Sequence, residues 1–235
     1  MRKKYFRYLD LPFKVEKPNF EDVEFSKVYG EKTGVGYLVM KQHLPVHKKV
    51  IDFVKGIEGL TVFYVLYLKT NKNEIMNVHN DCARTENNTC NSSVSINFAY
   101  GHSESRLQFF DIDDYKNVNL VEFDQTNSSY KDAFTHKQGY LDDEPFTDLI
   151  IKHKFETIDA KHCKFVTETK LDTTRPTLIN VGEFHRAYNP FDENRYVIQY
   201  RLTWKDRHGE EVSFSDACSL LKDYIRTWHN FNFII

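Results

Sequence analysis

The sequence predicts a mainly β protein with flanking helices, built around an antiparallel barrel that carries an insertion. Short runs of β-branched and aromatic residues, separated by polar turns, recur throughout residues 60–204. Segments with helical periodicity stand before and after this region. No repeat with a period of about 20 to 50 residues is present, which argues against a solenoid or a propeller.

The length and composition favour a single domain. The chain has 235 residues, of which 40% are hydrophobic and 15% are aromatic. Barrels and sandwiches of this length commonly form one domain, so we predict one domain over residues 1–235. The formal net charge of −2 gives no general attraction to phosphate backbones or anionic membranes. We therefore expect neither a nucleic acid nor a membrane as a partner, and the sequence does not indicate an oligomeric state.

The sequence also favours a soluble, cytoplasmic protein. Positive charge near the N-terminus is not followed by the uninterrupted apolar stretch of a secretory signal. The longest apolar run, residues 60–68, is too short to cross a bilayer. No Cys-x-x-Cys pair is present, so we predict reduced thiols at Cys82, Cys90, Cys163 and Cys218.

Residues 1–59 are predicted to support the barrel. Residues 35–40 have the composition of a short strand. Pro45 then opens a helical pattern, since proline favours the first turn of a helix. The apolar residues on one face of this helix are Val46, Val50, Phe53, Val54 and Ile57. We expect that face to pack on the outside of a sheet.

The barrel core is predicted at residues 60–204, on both sides of a polar interval. Strand-like runs before the interval are residues 60–68, 74–79, 93–100, 106–112 and 118–123. Runs after it are residues 163–168, 176–181 and 195–204. The interval at residues 124–146 is rich in Asn, Ser, Asp and Lys, which is typical of a surface loop and makes it a candidate lid.

A supporting helix is predicted after the barrel, at residues 213–229. Ser213 or Ser215 is suited to cap its first turn, because a serine side chain accepts a hydrogen bond from a backbone amide there. The apolar stripe of the helix contains Phe214, Ala217, Leu220, Leu221, Tyr224, Ile225 and Trp228. We expect this stripe to cover the exterior of the barrel.

His79, Asp81 and His185 form the most informative pattern in the chain. Two imidazoles and one carboxylate can bind one face of ferrous iron and leave the opposite face open. His79 and Asp81 are two residues apart, so on a strand their side chains point to the same face. Arg195 follows His185 by ten residues, and on the next strand its guanidinium could hold the far carboxylate of a co-substrate bound to that iron. The sequence therefore predicts a metal site with an anion anchor beside it.

This order of residues resembles the Fe(II)/2-oxoglutarate dioxygenase superfamily, whose members have a His-x-Asp motif, a distal histidine and a basic residue roughly ten positions later. The resemblance covers residues 60–204. Segments that resemble successive barrel strands of the superfamily are residues 77–81, 93–98, 176–190 and 195–202. Residues 93–98 and 103–110 are also similar to a small subset of oxygenases found in marine phages and bacteria.

The resemblance implies a double-stranded β-helix, a jelly-roll barrel of the cupin-like type, with Fe(II) held by His79, Asp81 and His185. It also implies a hydroxylase that releases succinate and carbon dioxide from 2-oxoglutarate while it oxidises a peptide, an amino acid or another small metabolite. The carboxylate of Asp81 favours hydroxylation over halogenation, in which a vacant ligand position accepts halide. The Gly-Gly turn of the prolyl-hydroxylase branch is absent between residues 81 and 123, so prolyl hydroxylation is not favoured.

Four residues are candidates to bind the co-substrate. Arg195 is the first candidate for its far carboxylate, and Arg201 is the second because it shares a strand face with Arg195. The two arginines keep the spacing found in the nucleic-acid demethylase branch, but not the polar residues that this branch has between them. Ser95 and Asn97 also share a face, and they either hydrogen-bond the oxo-acid or satisfy the polarity of the barrel interior.

Two other functions fit the same sequence. One is a barrel of the same fold that binds a ligand or partner without turnover. The other is a cupin-like metalloenzyme that uses the two histidines and the carboxylate without an oxo-acid. Arg195 distinguishes this second alternative from an oxygenase, since a structural carboxylate paired with the guanidinium would remove the anchor for 2-oxoglutarate.

Overall fold

The computed structural model describes residues 5–20, 25–27, 38–40, 48–81, 93–123, 153–170, 174–207 and 210–226. Within these ranges the chain is mainly β: fourteen strands form two antiparallel sheets, and two α-helices accompany them. The prediction of a mainly β fold with flanking helices is confirmed. Neither of the helices in these ranges has the length and apolar character needed to cross a membrane.

Each sheet contains seven strands. The first sheet runs in the order β1 (Phe6–Tyr8), β12 (Thr177–Asn180), β7 (Val94–Tyr100), β14 (Arg195–Trp204), β4 (Leu60–Thr70), β3 (Leu38–Met40) and β2 (Phe25–Lys27). The second runs in the order β11 (Cys163–Lys170), β8 (Arg106–Ile112), β13 (His185–Asn189), β6 (Val78–Asn80), β10 (His153–Ile158) and β9 (Asn119–Phe123), with β5 (Glu74–Ile75) beside β13. Along the chain, β4, β6, β7 and β8 therefore alternate between the sheets, as do β11, β12, β13 and β14.

Most of the predicted strands are present. β8 and β14 have the predicted bounds, whereas the run at residues 74–79 divides into β5 and β6. β1, β2 and β10 are not among the predicted runs, whereas β13 lies within residues 176–190, which resemble a barrel strand of the superfamily. Four of the six residues of β10 are polar, and the segment has no turn signal of its own, so its strand character becomes evident only from its pairing with β6 and β9.

The first sheet separates two different environments. On β7 and β14 the even-numbered residues, such as Ile96, Ile198 and Tyr200, belong to a large apolar core. The odd-numbered residues alternate with them and face the second sheet. These inward residues include Ser95, Asn97, Arg195, Val197, Gln199 and Arg201, so the side chains named as candidates lie on one face. A pocket opens between the two sheets on that face.

Both helices pack on the outer, apolar face, as predicted. α1 (Lys48–Gly56) buries Val50, Ile51 and Val54 in the same core as β14. α2 (Phe214–Leu220) buries Phe214 and Ala217 there. The side chain of Ser213 caps α2 by accepting a hydrogen bond from the Asp216 amide. The helix is shorter than predicted, and a 3-10 turn follows it at Lys222–Tyr224.

One irregularity interrupts the long pair of β4 and β14. Arg201 lies opposite Tyr64, but the next residue, Leu202, lies opposite Val62. Phe63 is therefore an extra residue on β4, and the pair contains a β-bulge at this point. The bulge changes which residues of β4 face outward: Leu60 and Val62 pack in the outer core, whereas Leu68 and Thr70 line the inner pocket.

Some predictions concern segments outside the described residues. These are the loop and candidate lid at residues 124–146, the thiols of Cys82 and Cys90, and the helical positions of Val46 and Trp228. Cys163 and Cys218 are free thiols, as predicted.

Candidate metal centre

His79 and His185 face each other across two adjacent strands. They are register partners of the antiparallel pair β6 and β13, so their side chains emerge on the same face. Their ring centroids are 4.6 Å apart, and both residues are buried. Strand pairing therefore brings together two histidines that are far apart in the sequence.

A backbone carbonyl oxygen fixes the orientation of each imidazole. His79 Nδ1 lies 2.9 Å from the Asn77 carbonyl oxygen, and His185 Nδ1 lies 2.8 Å from the Glu183 carbonyl oxygen. A carbonyl oxygen can only accept, so Nδ1 carries the proton in each ring. Each Nε2 is left with its lone pair available. This is the arrangement that a hydrogen bond on the second nitrogen gives to a metal-binding histidine.

Asp81 completes a group that could bind a metal ion. It directly follows β6, and its amide donates to the Val181 carbonyl oxygen at 2.9 Å. Its Oδ1 lies 3.6 Å from His79 Nε2. One candidate ligand atom from each of His79, Asp81 and His185 lies within 4.8 Å of the others. Metal bonds of about 2.1 Å place adjacent ligands about 3 Å apart, so a modest contraction suffices to coordinate an ion.

The electrostatic environment keeps the imidazoles neutral. Burial, together with the neighbouring His185, lowers the pKa of His79 to about 4. Burial also lowers the pKa of His185. Metal ligation requires the neutral imidazole, so at neutral pH neither ring has to release a proton before it binds an ion.

Arg201 lies against the carboxylate of Asp81. The guanidinium is almost fully buried, and its Nη2 donates to Asp81 Oδ2. Its Nε donates to Gln199 Oε1 at 2.9 Å, which orients the guanidinium plane. Asp81 thus has one oxygen directed to Arg201 and the other near His79. The sequence named Arg201 as the second candidate for the co-substrate carboxylate, and the structure places it beside a candidate ligand.

Arg195 is buried in the same pocket, and no residue that the structure describes serves as its counter-ion. In the described part of the chain no carboxylate pairs with it, and its Nε has no hydrogen-bond partner. Burial lowers its pKa to about 10. The positive charge of Arg195 also contributes to the lowered pKa of His185, so the guanidinium lies close to the candidate metal site. A buried cation without a partner is costly unless a ligand supplies the negative charge.

His79, Asp81, His185 and Arg195 line a pocket that is partly open to solvent. Asn97 lies opposite Gln199 in the pair of β7 and β14, and its Oδ1 has no hydrogen-bond partner among the described residues. Ser95 is fully buried next to Arg201, and its Oγ likewise has no partner in the described ranges, but it does not line the pocket. The remaining lining residues are Leu68, Thr70, Met76, Leu107, Val181, Ala187 and Val197.

Sequence reasoning missed two polar residues of this pocket, Gln199 and Thr70. Gln199 shares the face of Arg195 by strand alternation, so that signal was present in the sequence. Thr70 lies opposite Arg195 on β4, but its orientation depends on the bulge at Phe63. Arg186 lies outside the pocket, since its Nε donates to Gln108 and its guanidinium lies over the Phe110 ring.

Neither a scan against protein-family models nor a search of curated proteins finds a match to this chain. The site combines a neutral, preoriented pair of imidazoles, one carboxylate and a guanidinium that no described carboxylate pairs with, all in a single pocket. This combination can hold a divalent cation and, next to it, an anion.

Proposed function

We propose that this protein is an Fe(II)- and 2-oxoglutarate-dependent oxygenase that hydroxylates a peptide, an amino acid or another small metabolite. The observation that carries the proposal is the buried guanidinium of Arg195, which has no carboxylate partner among the described residues and shares a pocket with His79, Asp81 and His185. Dioxygen would be the oxidant: one of its oxygen atoms would enter the hydroxyl group of the product, and the other would enter succinate as 2-oxoglutarate loses carbon dioxide.

The strand order supports a double-stranded β-helix as the fold of this enzyme. In such a jelly-roll, successive strands alternate between two facing sheets and pair in a fixed order. The central order β12, β7, β14, β4 in one sheet and β11, β8, β13, β6 in the other agrees with this scheme. β9 and β10 then represent an addition beyond β6, at one edge of the second sheet.

The three candidate ligands fit ferrous iron. Two neutral imidazoles and a carboxylate on one side of the ion leave its other side for exchangeable ligands. Bound there, iron would activate dioxygen for C–H hydroxylation, with 2-oxoglutarate as the electron-donating co-substrate. His79, Asp81 and His185 would hold the ion, and the carbonyl oxygens of Asn77 and Glu183 would keep each ring in position.

Arg195 and its neighbours would orient the oxo-acid. The guanidinium would bind the distal carboxylate through charge-assisted hydrogen bonds in a site with little water. Asn97 and Gln199 lie on the same wall of the pocket, and their side-chain N–H groups would donate hydrogen bonds to oxygens of the bound acid. The apolar side chains of Leu68, Met76 and others would exclude water around them.

Arg201 would hold the carboxylate ligand in place. Because it occupies Asp81 Oδ2, it favours coordination through the other oxygen alone. A monodentate carboxylate keeps more of the metal's coordination positions open for exchangeable ligands. The pairing also neutralises part of the charge of a buried arginine.

The cupin-like alternative without an oxo-acid requires another role for Arg195. A structural ion pair of this residue would have supported that alternative, but no carboxylate of the described residues provides one. A barrel that binds a ligand without turnover has the same geometry as an enzyme. Only a measurement of the reaction separates these two functions.

Anaerobic titration of the protein with Fe(II) and then 2-oxoglutarate tests the proposal. We expect the weak visible charge-transfer band of the iron chelate, and no band in the His185→Ala variant. On admission of air, succinate should form even without a substrate, at a low rate. A band without succinate would indicate a binding protein, and no band in the native protein would contradict the proposal.

A further inference from the structure

The strand that precedes Asp81 depends on one neighbour for most of its pairing. β6 has three residues, and in the described part of the chain it pairs with β13 only at His79 and His185. On its other side all three residues pair with β10, opposite Ile158, Thr157 and Glu156. β10 therefore contributes most of what fixes the position of β6.

A buried polar pair joins these two strands next to the ligands. Asn80, the middle residue of the His-x-Asp motif, is fully buried and points away from the pocket by strand alternation. Its Nδ2 donates to Glu156 Oε2 at 2.6 Å, and its Oδ1 accepts from the Glu156 amide at 3.1 Å. Thr157 Oγ1 adds a hydrogen bond to the Val78 carbonyl oxygen at 3.2 Å. Side chains thus reinforce the backbone pairing along β6.

Such a pair can specify the register of two strands. A one-residue slip of β6 along β10 would turn Asn80 into the pocket and both ligands out of it. Apolar residues at positions 80 and 156 would pack beside Val78 and Ile158, which lie in one apolar cluster, but would tolerate more than one register. A buried carboxamide and carboxylate satisfy their hydrogen bonds in one register only, at a cost in desolvation. This pair is thus better suited to specify register than to add stability.

We propose that Asn80 and Glu156 are positioning residues of the metal centre: their paired side chains fix the register of β6 on β10 and thereby direct His79 and Asp81 into the pocket. The proposal rests on the metal site of the function proposed above, but not on 2-oxoglutarate. It gives β10, which lies beyond the central strands of the second sheet, a role in metal binding.

Anaerobic Co(II) binding, followed by calorimetry and by the visible absorption of the bound ion, tests this role. Asn80→Ala and Glu156→Ala should each weaken Co(II) binding about tenfold, as is typical for residues that orient ligands. The double variant should be no weaker than either single variant, because all three lack the same pair. Glu156→Gln retains an oxygen that accepts from Asn80 Nδ2 and should restore affinity to within about threefold of wild type.

Glu168→Ala provides a matched control. Glu168 accepts a hydrogen bond from Gln108 at 3.0 Å, so it forms a second carboxamide–carboxylate pair between neighbouring strands of the same sheet. It lies on β11, which carries none of the candidate ligands. Co(II) affinity should be unchanged in this variant. A loss equal to that in Glu156→Ala would contradict a specific role of the Asn80–Glu156 pair.

A paired apolar substitution separates positioning from stability. The double variant Asn80→Leu, Glu156→Leu extends the apolar cluster of Val78 and Ile158, so it should melt at or above the wild-type temperature. It should nevertheless bind Co(II) about tenfold more weakly. Unchanged affinity in this variant overturns the proposal, whether or not the alanine variants fold. Failure of the oxygenase function would be detected separately, as a metal-loaded wild-type protein that does not bind 2-oxoglutarate.

Discussion

Arg195 and Arg201 are buried on the same face of β14, yet they have different partners. Arg201 contacts Asp81 and Gln199, whereas Arg195 faces no carboxylate in the described part of the chain. An unpaired buried cation destabilises the folded protein, and the lowered pKa of Arg195 expresses the same cost. Perturbed groups of this kind are characteristic of sites that receive a ligand of opposite charge.

Replacement of Arg195 with methionine tests the anion anchor. We expect the Kd for 2-oxoglutarate to rise about 100-fold, since a buried charge-assisted pair contributes roughly 3 kcal/mol. Fe(II) affinity should change by less than about threefold, because Arg195 is not a ligand. The ligand-free variant should melt at a higher temperature, because the unpaired cation is gone.

Anaerobic calorimetry and thermal melts measure these changes. Arg186→Met is the matched control, since Arg186 bonds to Gln108 outside the pocket. The same loss of 2-oxoglutarate affinity in both variants would contradict a specific role of Arg195.

The buried histidines predict how the stability of the metal-free protein depends on pH. The pKa of His79 is about 4 in the folded protein, whereas an unfolded histidine has a pKa of about 6.5. The unfolded chain therefore binds the proton more readily than the folded protein does. The contribution of neutral His79 to the free energy of unfolding is present above about pH 6.5 and is lost towards about pH 4. At about 1.4 kcal/mol for each unit of pKa shift, the loss is about 3 kcal/mol.

Urea unfolding at a series of pH values between about 8 and about 4 measures this dependence. In His79→Gln the decrease of the unfolding free energy should be smaller than in the wild type. Some decrease should persist, because burial also lowers the pKa of His185. Superimposable profiles would show that His79 does not titrate in this range.

The turn after β7 positions the start of β14. Gly101 has a φ of +129°, a backbone angle that residues other than glycine rarely adopt. A Cβ at this position would lie 2.7 Å from the Asn194 carbonyl oxygen and 3.1 Å from the Arg195 Cα atom. The backbone that carries Arg195 therefore lies directly against this turn.

Substitution of Gly101 with alanine should affect both stability and the anion site. Strain and the clash with Asn194 should lower the free energy of unfolding by about 3 kcal/mol. Displacement of Arg195 should also weaken 2-oxoglutarate binding. Denaturant unfolding and calorimetry measure the two effects. Gly56→Ala at the end of α1 is the control, because its Cβ would meet nothing within 4 Å; a similar loss there would contradict the argument.

The sequence predicts elements well where an apolar run has clear boundaries. β8 and β14 have such runs, and the His-x-Asp motif could be placed on one face by alternation alone. β10 has no such apolar run. Its register on β6 depends instead on the hydrogen bonds of Asn80 with Glu156, which join residues that are far apart in the sequence. The contact of Arg201 with Asp81 likewise depends on how the two sheets face each other, which the local sequence does not encode.

β14 separates the apolar core, which stabilises the fold, from the polar pocket, which contains the candidate metal ligands. Ile198 is fully buried among the residues that pack against both helices, whereas its neighbours Val197 and Gln199 line the pocket. Stability and ligand binding should therefore respond to different residues of the same strand. The apolar face can keep the fold intact while the polar face retains unsatisfied groups for a ligand.

Substitution of Ile198 with alanine tests this separation. The cavity in the outer core should lower the free energy of unfolding by about 3 kcal/mol. The folded protein should still bind Fe(II) with an affinity within about threefold of wild type, because the pocket lies on the opposite face. Denaturant unfolding and anaerobic metal titration report the two quantities. A large loss of metal affinity would show that the two cores are coupled.

Because Phe63 is an extra residue on β4, this strand should tolerate a change in its number of residues less well than a change in the identity of one residue. Removal of one residue here would reverse the face of the sheet to which each side chain between that point and Thr70 points. Leu68 and Thr70 would then leave the pocket, and their neighbours would point into it. Insertions and deletions in this stretch should therefore be far more damaging than replacements of one apolar residue by another.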